Sequence, residues 1–215
     1  MKRLISFIVS FVAMLSTAFS QDETQKLTYF AEFKPATILM KDGKVIKTPL
    51  ANVFMKDASL LYKRGTDTMA ANMKNVKSVK IGEKFFESIG NKLALFIDSV
   101  GNNQLYCVVE LDIETYKAIL KNNVNITSTS FEELMGTDMV SYSTIDLERQ
   151  EDQQFPVKRQ YYYRYNDKVI LVHEREILRN IPRNKRHMYE SVLSLPEFSW
   201  TDVKSLMQML KAISK

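Results

Sequence analysis

Across residues 27–113 apolar positions recur in short runs with a period near two, cut by glycines and polar turns. That pattern predicts β-strands with one face toward a core and one toward water. Residues 28–33 and 36–40 read as strands, and Asp42-Gly43 gives a two-residue hairpin signal before Lys44-Val45-Ile46. Residues 53–56 and 59–62 continue the series, with a turn at Arg64-Gly65. In Ser78-Val79-Lys80-Ile81 the alternation is clean. Val76 and Lys77 are out of phase with it, so the strand either starts at Ser78 or carries a bulge before it. Gly82, Gly90 and Gly101 punctuate strands at 85–89, 93–97 and 105–111.

After Ile113 the pattern changes. Residues 114–121 fit a short helix with Tyr116, Ile119 and Leu120 on one side, and 122–155 are polar and irregular. Residues 160–165 and 168–173 predict two strands joined by a turn at Asn166-Asp167. Helices follow at 174–180 and 183–193, separated by Pro182. A last helix starts near Thr201, the expected N-cap, with Asp202 suiting its N-terminus. Its apolar face comprises Val203, Leu206, Met207, Leu210 and Ile213.

The N-terminus has a different pattern again. Lys2 and Arg3 precede an apolar run from Leu4 to Leu15 broken only by Ser6 and Ser10, and Ala18-Phe19-Ser20 places small residues before a cut. This is the layout of a secretory signal peptide, its apolar core too short for a comfortable membrane span. The expected division is therefore a signal peptide at 1–20, a β-rich unit at 21–113, a short helix and irregular acidic connector at 114–155, and a basic strand pair with helices at 156–215, packed on the sheet. The expected class is α+β: an antiparallel β-rich N-terminal meander or roll, then a strand pair and two to three C-terminal helices. Removing residues 1–20 leaves 195 residues and no later stretch long enough to span a membrane. No cysteine stands at the cut to carry a lipid.

Charge and cysteine usage narrow the function classes. Cleavage takes Lys+Arg from 30 to 28 against 25 acids, so the net charge falls from +5 to +3. Global basicity is thus partly a property of the leader, and export argues against a nucleic-acid partner. The single cysteine, Cys107, sits in the apolar run Leu105-Tyr106-Cys107-Val108-Val109 and is expected buried and inert.

At this point the order of parts resembles that of exported β-rich proteins common in Bacteroidetes. The residues that carry the resemblance are the leader, Pro35-Ala36-Thr37-Ile38-Leu39, the Asp42-Gly43 hairpin, the segment 76–86, and the aromatic strand around Tyr161-Tyr162-Tyr163 leading into terminal helices. The resemblance covers most of the mature chain and contains no catalytic motif. It implies a Gram-negative envelope: periplasm, cell surface or beyond.

Motifs for chemistry are sparse. His173 and His187 have neither paired cysteines nor a two-histidine helical spacing, so no metal is expected. No phosphate-cradling glycine loop and no Gly-x-Ser-x-Gly elbow is present, and no cofactor is expected. Acids such as Glu132, Glu133 and Asp138 lie in a polar stretch where solvation is the simpler reading.

In Tyr161-Tyr162-Tyr163-Arg164-Tyr165, alternation puts Tyr161, Tyr163 and Tyr165 on one face. They form either a stacking platform for a sugar or partner surface, or the packing face for the terminal helices, the simpler alternative. Nine basic residues, including Lys168, Arg183, Lys185 and Arg186, lie within 158–190 against four acids. That segment either meets an acidic partner or pairs with segment 110–154, which holds ten acids and three bases.

The expected function is non-catalytic binding of an envelope protein or glycan through the 161–168 strand pair and the neighbouring basic helices. The alternatives are an envelope hydrolase with a cleft between the two units, and a roll holding a small apolar molecule among Phe85, Leu95, Ile97 and Val109. Asp67-Thr68-Met69 and Asp98-Ser99-Val100 fit the Bacteroidetes O-glycosylation tripeptide, which makes Thr68 and Ser99 candidate acceptors. Oligomeric state is not legible in the sequence.

Overall fold

A computed structural model describes residues 27–123 and 156–214, so the expected signal peptide and most of the expected connector lie outside the described residues. Ten strands form a single antiparallel sheet. In chain order they are β1 (Lys34–Met40), β2 (Val45–Phe54), β3 (Ser59–Arg64), β4 (Asp67–Ala70), β5 (Val76–Ile81), β6 (Lys84–Ile89), β7 (Lys92–Val100), β8 (Asn103–Leu111), β9 (Val157–Tyr165) and β10 (Lys168–Leu171). In the sheet they run β10-β9-β8-β7-β6-β5-β1-β2-β3-β4. The helices are α1 (Ile113–Asn123), α2 (Glu174–Asn180), α3 (Arg186–Leu193) and α4 (Val203–Ser214), with a 3-10 turn at Arg183–Lys185.

The connection from β4 to β5 sets the shape of the sheet. Strands β3, β2 and β1 separate the two, a gap of about 19 Å if the sheet were flat. Six residue steps reach only ~20 Å when fully extended. The connection is instead folded into turns, with Asn75 N donating to Asn72 O at 3.0 Å and Val76 N to Met73 O at 3.3 Å. It closes because the sheet is strongly curved. Met73 is buried with Leu60 and Val76, and Leu60 N donates to its Sδ at 3.4 Å. Two further backbone bonds fasten the β2–β3 turn to strands beyond its own pairings: Leu93 N to Ala58 O and Leu111 N to Met55 O, both 2.7 Å.

Several local expectations change. Residues 28–33 do not form a strand; a single bridge, Thr28 to Phe54, represents them in the sheet. Tyr29 N donates to Val53 O at 2.9 Å, and the backbone of Phe30 and Glu32 is taken by Asn52, which is fully buried on β2. Its Oδ1 accepts from Phe30 N at 3.0 Å, and its Nδ2 donates to Phe30 O at 2.9 Å and Glu32 O at 3.2 Å. The first hairpin has a three-residue loop rather than two: Met40 N donates to Lys44 O, and Gly43 takes the left-handed conformation at φ +87°. β5 begins at Val76, with the register shift that a bulge at Lys77 requires. The expected helix at 183–193 divides into the 3-10 turn and α3. Asp202, not Thr201, caps α4: its Oδ2 accepts from Ser205 N at 2.8 Å, and this bond holds the carboxyl below its usual range.

The strand pair β9–β10 extends the sheet; it does not pack on it. β9 pairs with β8 over eight register positions, from Gln104–Arg164 to Leu111–Val157. Only helices then cover this end. Residues of α2, α3 and α4 form one core with Leu105, Cys107, Tyr161, Tyr163 and Tyr165. A second core lies within the curve of β1, β2, β3, β5 and β6. Tyr116 of α1 closes a third, with Leu27, Phe54 and Leu111.

Asn52→Ala should remove the partners of Phe30 N, Phe30 O and Glu32 O and lower stability by about 3 kcal/mol, read from urea unfolding. Cys107 is 3 % exposed, and burial pushes its thiol up to about 11. The thiol should therefore resist a soluble maleimide at pH 8 in the folded protein and label fully in urea; rapid labelling of folded protein would contradict its burial.

Candidate functional site

The register of β6 to β9 creates an arrangement on the sheet face opposite the helices. Tyr162 and Arg164 point there because Tyr161, Tyr163 and Tyr165 point to the helices. Phe96 lies opposite Tyr106, and Tyr106 opposite Tyr162. One step beyond the Phe86–Leu95 pair, Phe85 falls at the position opposite Phe96. Four aromatic residues thus form a row across four strands. Phe85 is 41 % exposed, Phe96 and Tyr162 are half-buried, and Tyr106 is covered. Phe96 and Tyr106 meet edge to face, with centroids 5.9 Å apart.

Polar groups converge over Tyr106. Its hydroxyl donates to Glu87 Oε2 at 2.6 Å, and the same hydroxyl oxygen lies 2.7 Å from Gln104 Oε1. The other Glu87 oxygen takes Arg164 Nη2 in an ion pair, and the Arg164 guanidinium lies 5.8 Å from the centre of the Tyr106 ring. Glu87 and Arg164 come from strands separated by β7 and β8, so their side chains bridge about 14 Å of sheet. The ion pair beside its hydroxyl and the guanidinium over its ring form a lid on Tyr106, which is 1 % exposed. Desolvation, reinforced by Glu87, drives the Tyr106 hydroxyl well above its usual range, so it stays protonated and donates. Arg164 Nε is out of solvent and has no hydrogen-bond partner among the described residues.

Flanking the row, Tyr162 Oη donates to Gln160 Oε1 at 2.7 Å, and Lys92 Nζ pairs with Glu110 at 2.7 Å. Among the described residues, no helical residue belongs to the apolar cluster on this side, which contains Ala58, Ile89, Ala94, Tyr106 and Val108. The face therefore presents aromatic surface beside planar hydrogen-bonding side chains on a rigid four-stranded base.

The expected tyrosine platform is corrected. Tyr161, Tyr163 and Tyr165 are 8 %, 0 % and 4 % exposed, and each hydroxyl donates to a backbone carbonyl at the helical layer. The acceptors are Thr201 at 3.5 Å, Leu206 at 2.7 Å and Ile213 at 3.0 Å. These rings anchor the terminal helices and are closed to a ligand.

The other expected residues are dispersed. Lys168 stands exposed at the β9–β10 turn, while Arg183 and Arg186 are exposed and Lys185 half-buried at the 3-10 turn and start of α3. Arg164 is on the opposite face of the sheet from those helices. Among the described residues, one pair links the acidic and basic segments: Lys158 Nζ to Asp112 Oδ1 at 3.3 Å. Ser99 is exposed near the end of β7, and Thr68 is half-buried in β4.

Phe85, Leu95, Ile97 and Val109 do not line a common cavity. Phe85 faces water, Leu95 packs in the curve of the N-terminal strands, and Ile97 and Val109 pack toward the helices. Two surface hollows, of about 430 and 480 Å³, are lined by other residues.

Sequence alternation alone separates Tyr162 and Arg164 from their neighbours, but joining them to Tyr106, Phe96 and Glu87 needs the register of four strands. No family model matches the chain, and neither a curated protein nor a solved structure is similar to it at a significant level.

Glu87→Ala should leave Arg164 without its counter-charge and cost about 2 kcal/mol in urea unfolding. Adding Arg164→Ala should cost less than the sum of the two single changes; strict additivity would show that the two side chains do not act together.

Proposed function

We propose that the chain is a non-catalytic exported envelope protein that binds a glycan or protein partner, and that the partner docks on the open face of β6–β9. The observation that carries this reading is the aromatic row Phe85, Phe96, Tyr106 and Tyr162 beside Glu87, Arg164, Gln104 and Gln160. Sugar rings stack on aromatic faces through their C–H edges while planar amides, carboxylates and guanidinium groups take their hydroxyls. Tyr106 and its lid serve as the fixed floor; Phe96 and Tyr162, half-exposed, supply the contact area. A rigid sheet base limits the ordering cost on binding.

The export signal at 1–20 and the Bacteroidetes-like order of parts support an envelope setting, on either side of the outer membrane. The roll reading of the N-terminal unit belongs to the same proposal. The bonds from Ala58 and Met55 to Leu93 and Leu111 support it, since they draw the β2–β3 turn across to β7 and β8.

The mature protein, immobilised, should retain envelope glycans or a specific envelope protein from cell extracts. Phe96→Ala/Tyr162→Ala should reduce that retention at least tenfold while the unfolding midpoint shows the protein still folded. Lys168→Ala, away from the row, should leave retention unchanged. Full retention by the folded double variant would sink the assignment of this face.

A further inference from the structure

At the far side of the sheet from the helices, the β1–β2 hairpin carries exposed apolar residues on both faces immediately behind its polar turn, Lys41-Asp42-Gly43-Lys44. Val45 is 55 % exposed and Ile46 37 %. Being adjacent in a strand, they point to opposite sides of the ribbon. Val45 pairs with half-buried Leu39, and Ile46 with Ile38, where the buried core ends. A hairpin that served only to cap the sheet would be expected to carry polar residues on at least one of these faces.

Lysines surround this tip. Lys41, Lys44 and Lys47 lie on the hairpin itself, all exposed. Lys41 N donates to Asn75 O at 2.8 Å, which draws Lys74 and Lys77 alongside. Lys80 joins them on the Val45 face, since Lys47 and Lys80 flank Thr37 from either side in one row of the sheet. Against six lysines, segments 39–50 and 74–80 contain one acid, Asp42, whose Oδ1 accepts from Lys44 N within the turn. Glu83 approaches Lys80 at 3.7 Å, leaving a local net charge of +4.

We infer that the β1–β2 hairpin is a membrane-contact wedge that seats Val45 and Ile46 among the headgroups of an anionic lipid surface, with the surrounding lysines on its phosphates. The geometry favours a lipid surface over an acidic protein. A protein partner covers one face of a ribbon, whereas apolar side chains diverging to both faces are covered together only by a medium that closes around the tip. Lysine stems extend along apolar surface and keep their ammonium groups at headgroup level. Charge attraction falls off with ionic strength and apolar insertion does not, so the two contributions are separable.

The test is co-sedimentation of the mature chain with phosphatidylcholine vesicles, with and without one-third phosphatidylglycerol, in low and high salt. The expected result is at least tenfold stronger binding to the acidic vesicles, most of it lost in 0.5 M salt, on the order of the loss screening permits. Lys44→Glu/Lys47→Glu should abolish the preference for acidic lipid. Val45→Ser/Ile46→Ser should weaken binding about tenfold at unchanged charge. Both pairs are exposed, and Val45→Thr/Ile46→Thr keeps the strand-favouring shape should the serine variant unfold. Equal binding to neutral and acidic vesicles, no binding, or variants that bind as the parent does would overturn the proposal. So would retention on a polyglutamate column in the absence of any vesicle binding.

Discussion

The pairing of β8 with β9 is the constraint on which the rest of the molecule depends. It joins a segment before the acidic connector to one after it, and one register fixes eight residue pairs at once. A shift of one position would turn Tyr161, Tyr163 and Tyr165 outward and bring Tyr162 and Arg164 beneath the helices. That alternative would leave a guanidinium in an apolar core and away from Glu87, its partner in the observed register. The observed register avoids this. It gives three tyrosine hydroxyls to helix-side carbonyls, and it places Arg164 where Glu87 can reach it.

The two faces of this part of the sheet therefore do different work with the same kind of residue. On one, tyrosines act as apolar slabs with one polar end, and burial of Tyr163 raises its hydroxyl far above its ordinary range, so it stays a donor. On the other, Tyr106 is held beneath an ion pair while Phe96 and Tyr162 remain half-open. Aromatic residues in alternation are consistent with both roles. Only their neighbours across the strands distinguish a floor from a surface.

Much of the fold was legible in the sequence because local chemistry dictated it. Asn166 and Asp167 adopt the positive φ angles, 48° and 63°, that a tight hairpin needs and that few residue types accept. The apolar spacing of Leu206, Leu210 and Ile213 marks the buried face of α4. What was not legible depended on distant partners. Residues 28–33 have strand-like composition, but a buried amide 20 or more positions away takes their backbone bonds first. β4, with only four residues, is too short to show a period. The candidate site was half legible: Arg164 was singled out, but its companions Glu87, Tyr106 and Phe96 come from three other strands. The tyrosines beside it in sequence proved to belong to the opposite face.

The two ends of the ten-stranded sheet have a bearing on how such a chain avoids pairing with its own copies. An open sheet of this width ends in two rows of unpaired backbone groups, each a template for another copy. Here the terminal strands, β4 and β10, are four residues each, much shorter than the nine- and ten-residue strands inside. A foreign strand gains too few backbone bonds on either to hold it. The width that gives the molecule its broad central face is thus compatible with remaining unaggregated in a crowded compartment, because the sheet tapers to ends too short to grow from.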